Sequence, residues 1–281
     1  MSVIVNTNVQ SLVSQRNLTA ATNALNKSTQ RLSTGVKINS AADDAAGLFV
    51  AKGLESQLSG SEQCQTNIAL GINVLQIAEG DLVNIQDNVS RVKDLATQAS
   101  SGIYSSAART AMQEEITARL AEIDRIASAS NFNGINLLNG NSNLASGMKI
   151  QVGAGSDAAT NSINITGVFN NATSTGLGFT EETQKVDTID HALATVAKCE
   201  DVLSTITTRR SSLGVAQARL EMASNGLATT IENISAAKAT IMDTDIAAET
   251  SNYTKQQILQ QISASILTQA NQAPSIALSL M

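Results

Sequence analysis

Two long seven-residue repeats govern what this chain can become. Leu54, Ile68, Leu75, Leu82, Val89 and Ala96 fall on every seventh position, with only Ser61 polar in the row. A companion row, Cys64, Gly71, Ala78, Ile85, Val92 and Ala99, follows three positions later. Alternating steps of three and four put both rows on one narrow helical stripe. They predict a single helix over 45–100. At 1.5 Å per residue such a helix is about 75 Å long, too long for a compact globule, and it needs partner helices. A second repeat supplies one: Cys199, Ile206, Leu213, Leu220, Leu227, Ile234 and Ile241. The two long helices are therefore predicted to run antiparallel. Gly71, Ala78, Ala96 and Ala99 would let a partner come close.

Composition agrees. Hydrophobic residues are 42% of the 281, enough for a core, but aromatics are 2% and there is one proline, Pro274. Long helices packed through Leu, Ile, Val and Ala fit this better than a β-sandwich or an α/β fold. The net charge of −6 offers no basic stripe for phosphates, so nucleic acid is disfavoured as a partner. No unbroken run of 18 apolar residues exists, so no membrane insertion is expected. The N-terminus lacks the basic start and apolar core of a Sec-type signal peptide. Two cysteines do not make a disulfide framework.

Along the chain, Leu18, Leu25 and Leu32 predict a first helix ending near Gly35, with Val3, Val5, Val9 and Leu12 as an apolar head. Alone such a helix is marginal in water. Ser40 to Asp43 reads as the start of the long helix, Ser40 capping and Asp43 with Asp44 in the first turn. A third helix is predicted over 105–129, with Met112, Ile116, Leu120, Ile123 and Ile126 inward and Glu115 placed for an i,i+4 pair with Arg119. From 130 to 180 Asn, Gly, Ser and Thr dominate. Turn signals stand at Asn133-Gly134 and Asn139-Gly140, and alternation predicts a β-hairpin with strands near 148–153 and 161–166 joined by a flexible loop. Thr180-Glu181-Glu182 is read as a helix restart. Residues 243–281 read as an amphipathic helix, with Leu259, Ile262, Ile266, Ala270, Ala273, Ala277 and Leu280 on one face and Pro274 loosening its last turns. The layout is near-palindromic: 1–42 an N-terminal helix, 43–240 a helical rod including the hairpin region 140–180, and 241–281 a C-terminal helix. The fold class is mainly α, a long antiparallel coiled-coil-like rod with a short β-hairpin and paired terminal helices.

Catalytic patterns are absent. His191 is the single histidine. There is no His-Glu-x-x-His, no Gly-x-Ser-x-Gly and no Walker motif, and Gly153-Ala-Gly155 is followed by no phosphate-loop continuation. The chain reads as a non-enzyme with no cofactor and no metal.

The segment Ser33-Thr-Gly-Val-Lys-Ile-Asn-Ser-Ala-Ala-Asp-Asp-Ala-Ala-Gly47 closely resembles the N-terminal signature of bacterial flagellin. So do Ile4-Val-Asn-Thr-Asn8, Phe132-Asn-Gly134, Met148-Lys-Ile-Gln-Val-Gly153, Arg210-Ser-Ser-Leu-Gly214, Gln257-Ile-Leu-Gln-Gln261, Ala270-Asn-Gln272 and the Leu-Ser-Leu near 278–280, in the same order over nearly the whole chain. The resemblance implies a structural subunit of the flagellar filament in a minimal form. It implies terminal helices that build the inner tube by self-assembly, with Leu18, Leu25, Leu32, Leu259, Ile262 and Ile266 as contacts. It implies export unfolded through the flagellar type III channel to an extracellular filament, and an export chaperone, cap and hook-junction proteins as partners. Asn88-Val-Ser-Arg91-Val-Lys-Asp-Leu95-Ala resembles the segment contacted by the flagellin-sensing Toll-like receptor, so Arg91, Leu95 and Glu115 would be its contacts. The two cysteines and the Leu280-Met281 ending depart from the family pattern. The alternatives are a hook–filament junction protein, which shares terminal helices, and a cytoplasmic helical signalling hairpin, which needs neither apolar ends nor a mid-chain β segment. Cys64 and Cys199, on opposite helices at different levels, are expected to stay unjoined within one subunit.

Overall fold

The computed structural model describes residues 7–140, 144 and 147–279, with side chains through 272. Readings on Val3, Val5 and Leu280, and on the side chains of Ala273, Pro274 and Ala277, lie outside the described residues. The order of elements is α1 (Val9–Thr34), α2 (Ala45–Ala99), α3 (Ser106–Ala129), β1 (Asn131–Phe132), β2 (Ile135–Asn136), β3 (Met148–Gln151), α4 (Ala158–Asn161), β4 (Ser162–Ile165), α5 (Ile189–Met242) and α6 (Ile246–Ser279). The chain is mainly helical, with two small antiparallel strand pairs, β1–β2 and β3–β4. It divides into a terminal unit, Met1–Leu58 with Asn233–Met281, and a central unit, Ser59–Glu232.

In the central unit the heptad rows are the core. Ile68, Leu75, Ala78, Leu82, Ile85, Val89, Val92, Ala96 and Ala99 of α2 are wholly buried, as are Cys199, Ile206, Leu213 and Leu220 of α5 and Ile116 and Ile123 of α3. Ser61, the polar member of the row, is buried too. α2 contains an 18-residue window of mean hydropathy 1.3, and its apolar rows are packed inside this core. Lys93 pairs with Glu200 at 3.0 Å and Glu79 with Arg210 at 3.7 Å, so later α2 residues meet earlier α5 residues: the helices are antiparallel. Such half-exposed pairs mark register more than they stabilise.

Gly71 shows why the seam carries small residues. A side chain there would collide with Ile150 of β3, so the β-hairpin, as well as a helix, uses the gap. Pairing of β3 with β4 runs Met148↔Ile165 to Gln151↔Ser162, which turns Ile150 and Ile165 inward. The Asn133-Gly134 turn takes positive φ at both residues (49° and 79°), the geometry of a tight two-residue hairpin between β1 and β2.

Three sequence expectations are corrected. The helix start placed at Thr180-Glu181-Glu182 is a turn: Thr180 and Thr183 hydrogen-bond each other, and α5 begins at Ile189, with Thr188 Oγ1 accepting from the His191 amide. Val186 is wholly buried and draws the chain inward before the helix can form. Second, the link between the hairpin strands, expected as a flexible loop, contains the short helix α4, with Asp157 accepting from the Ala159 amide at 3.0 Å. Beyond the hairpin, residues 166–188 pack as part of the core. Val168, Phe169, Ala172, Leu177, Phe179 and Val186 belong to the core, and side chains pin the backbone there. The Asp124 carboxylate accepts from the Ser174 amide (2.7 Å) and hydroxyl (2.8 Å). The Gln113 amide bonds the Gln184 carbonyl and the Val186 N–H. Third, Asp44 caps α2, accepting from the Gly47 amide at 2.9 Å; Ser40 does not.

Candidate assembly surface

The terminal unit is built on α1 packed antiparallel to α6. Asn8 Nδ2 donates to the Ala270 carbonyl at 2.7 Å, Gln260 Nε2 to Thr22 Oγ1 at 3.2 Å, and Arg31 pairs with Glu249 at 3.5 Å. The residues α1 buries are Ser14, Ala21 and Ser28, seven apart. Facing them, Glu249 and Ala270 of α6 are buried, with Gln256 and Ser263 half-buried at the same seven-residue spacing. The most buried line of the seam is therefore made of small or polar residues, with Tyr253 and Leu267 of α6 half-buried along it.

The apolar residues lie beside it. Leu18, Leu25 and Leu32 are half-buried flanks. Leu259 is 40% exposed, Ile262 48% and Ile266 51%, with Ile258, Val9 and Leu12 exposed alongside. A residue three positions past one facing α1 is rotated by about 60° around the helix, so the Leu259–Ile266 row turns off the seam. All six terminal-helix residues singled out from sequence sit on this one pair. On α6 the Leu259, Ile262 and Ile266 row, which a soluble helix normally turns inward, points out, whereas Leu18, Leu25 and Leu32 of α1 are half-buried.

The signature segment 33–47 forms the corner of this unit. Gly35 ends α1 in the left-handed region (φ 72°), its amide bonded to the Arg31 carbonyl. Val36 bridges Asp243, and the Lys37 amide donates to the Met242 carbonyl at 2.7 Å. Asp43 staples the corner: its carboxylate accepts from the amides of Asn39 and Ser40 and pairs with Lys27 at 2.6 Å. The Lys27 ammonium, helped by these amides, holds the Asp43 carboxyl well below its ordinary 3.8, at about 2. Sequence reading assigned Asp43 to the helix start and missed its partner, because Lys27 is separated from it by the whole corner.

In the central unit, Arg91 and Glu115 come together. Arg91 Nε and Nη2 donate to the two Glu115 oxygens at 2.9 and 3.3 Å, a fork on a carboxylate. The Arg91 hydrogen bond lowers the Glu115 pKa. Arg119, the predicted i,i+4 partner, is farther, at 3.7 Å. Leu95 is not with them: it is 3% exposed and packs in the core. Among the described residues no three His, Cys, Asp or Glu side chains are placed to hold a metal ion. The His191 ring pairs with Asp187 of its own helix entry, at 2.6 Å on an exposed surface. Cys64 and Cys199 are free and buried.

Comparison with known proteins gives these features a setting. The family model for the bacterial flagellin N-terminal helical region matches residues 5–143, and that for the bacterial flagellin C-terminal helical region matches residues 196–281. The chain is 35% identical to flagellin FlaB2 of Treponema pallidum over 290 residues, spanning 99% of this chain and 100% of that one. It is 37% identical to the flagellar filament 31.3 kDa core protein of Treponema maltophilum, with the same coverage. Polar flagellin F of Vibrio parahaemolyticus is 33% identical, with both chains covered in full. Two solved structures share the fold. A Bacillus cereus flagellin crystal structure has TM-score 0.50 and 24% identity, covering 62% of this chain and 94% of its own. A putative flagellar hook-associated protein from Vibrio parahaemolyticus has TM-score 0.56 and 16% identity, covering 72% and 100%. Fold alone thus does not separate filament from hook-associated proteins, whereas the full-length sequence matches do: the chain belongs to the bacterial flagellin family.

Proposed function

We propose that this chain is the structural subunit of a flagellar filament, and that it polymerises through the outward apolar face of its paired terminal helices. The observation that carries the reading is the outward face of α6: Leu259, Ile262 and Ile266 are exposed beside a seam whose most buried residues are small or polar. Each such side chain gains about 1.5–3 kcal/mol when fully buried. Neighbouring copies would supply that burial, and a heterologous contact that does not close gives a helical filament. Purified chain mixed with short filament seeds should elongate into sedimentable filaments. A chain that stays monomeric with seeds at high concentration contradicts the reading.

Family membership supports the rest of the route: export through the flagellar type III channel to the extracellular filament, an export chaperone on the C-terminal helix, and cap and hook-junction proteins at the filament ends. We also infer a surface for the flagellin-sensing Toll-like receptor at Arg91 and Glu115, whose exposed forked pair is a ready polar contact, with Leu95 holding the helix from beneath. Arginine is a frequent interface hot spot, worth about 2 kcal/mol or more. Arg91→Ala monomer should activate receptor-reporter cells at least tenfold less potently than wild type. Equal potency from a fully folded variant contradicts the assignment.

A further inference from the structure

The chain holds four phenylalanines. Phe169 and Phe179 are buried and Phe132 packs against the core, but Phe49 is 81% exposed. It stands on the first turns of α2, in the terminal unit, on a stripe formed by Ala46, Phe49, Val50 and Gly53. These are spaced i, i+3, i+4, i+7 and all exposed. A Cβ added at Gly53 would meet nothing within 4 Å, while Ala51 on the opposite side is 2% exposed. The stripe is thus a single aromatic knob on a low, smooth surface that lets another backbone approach. None of the corner's hydrogen bonds or ion pairs involves it.

The same unit carries an open apolar strip. A shallow groove of about 500 Å³ runs along α6, lined by Ser251, Thr254, Lys255, Ile258 and Leu259, all of them exposed. Ile258 and Leu259 give it apolar walls, and the Lys255 ammonium suits the face of an aromatic ring. A comparable groove along α1 is lined by Leu12, Gln15, Arg16, Thr19, Ala20 and Asn23, with Leu12 its single large apolar residue. Phe49 does not occupy the α6 groove of its own chain, since it is almost fully exposed. Leu259 belongs both to the groove and to the outward row already assigned to assembly.

The geometry points to a second copy of this chain as the occupant: Phe49 of one subunit seats in the α6 groove of the next. Knob and groove on one chain make a heterologous contact, which builds an open filament when its rotation does not close a ring. This inference rests on the reading of the chain as a filament subunit, and goes beyond it by naming an aromatic anchor outside the terminal helices. A buried aromatic of this kind is a typical hot spot.

The test uses full-length chain with the photocrosslinking analogue p-benzoylphenylalanine in place of Phe49. Irradiated filaments should yield inter-chain crosslinks mapping to residues 251–259, and monomer should yield none. No inter-chain crosslink in filaments, or one mapping elsewhere, overturns the assignment. In parallel, Phe49→Ala should leave the unfolding curve of monomer unchanged and raise the critical concentration for seeded polymerisation roughly tenfold or more. Phe49→Tyr should keep most of the wild-type value. An unchanged critical concentration for Phe49→Ala overturns the inference while leaving the filament reading intact. A wild-type chain that never elongates seeds overturns the filament reading itself, and this inference with it.

Discussion

At the scale of single residues, the core of the central unit tolerates little. Gly71 marks the place where Ile150 of the β-hairpin approaches α2, with Leu220 of α5 close behind. Gly71→Val should overpack this site and lower stability by about 1–3 kcal/mol, read as a shifted denaturation midpoint. Gly71→Ala should cost less, since the atom it meets is the tip of a flexible side chain. The cysteines behave as small apolar residues. Burial pushes the Cys199 thiol up to about 12 and raises that of Cys64 as well. The Lys93–Glu200 pair sets Cys199 about 29 positions along α2 from Cys64, roughly 44 Å, far outside disulfide reach. Folded protein at pH 8 should react with a thiol reagent only slowly, and denatured, unreduced protein should titrate two thiols. A mass lower by two hydrogens would contradict this. Such packing was legible from sequence because heptad spacing names the inward residues directly. Phe49 was not, because one exposed aromatic leaves no periodic trace.

At the scale of elements, what a periodic pattern reveals depends on where the element turns its apolar side. For α2 and α5 the apolar rows face the core, so spacing gave position. For α6 the row Leu259, Ile262 and Ile266 is equally regular but lies off the seam with α1, whose most buried residues are Ser14, Ala21 and Ser28. The pattern marked a face without saying what covers it. Residues 166–188 left no periodic signal at all. Their core residues follow no period, and they are held by single side chains such as Asp124 and Gln113 from distant α3. The corner between α1 and α2 carries a pH signature. The Asp43 carboxyl is depressed from 3.8 to about 2, so folding favours its ionised form. Its contribution is complete above about pH 4 and is lost as pH falls towards 2. Helix content followed from pH 6 to pH 2 should show Asp43→Asn less stable than wild type above pH 4, the two converging near pH 2. Parallel curves throughout would mean that the Lys27–Asp43 staple contributes nothing.

At the scale of the whole molecule, two units divide two tasks. The central unit buries its heptad rows within one chain. The terminal unit leaves Val9, Leu12, Ile258, Leu259, Ile262 and Ile266 exposed, far more apolar surface than a helix pair needs for its own folding. The family was legible in sequence because its marks are spread over the full length, and matches to both terminal helical regions bear it out. The direction of the α6 face, which turns the family likeness into a physical account of assembly, needed coordinates. The most direct test is a seeded polymerisation assay, read by sedimentation and electron microscopy, on chain carrying Leu259→Asp, Ile262→Asp and Ile266→Asp together. These side chains lie off the seam, so the variant should keep the thermal unfolding of the central unit and remain monomeric at concentrations where wild type forms filaments. Filaments at the wild-type critical concentration would contradict the claim that this face drives assembly.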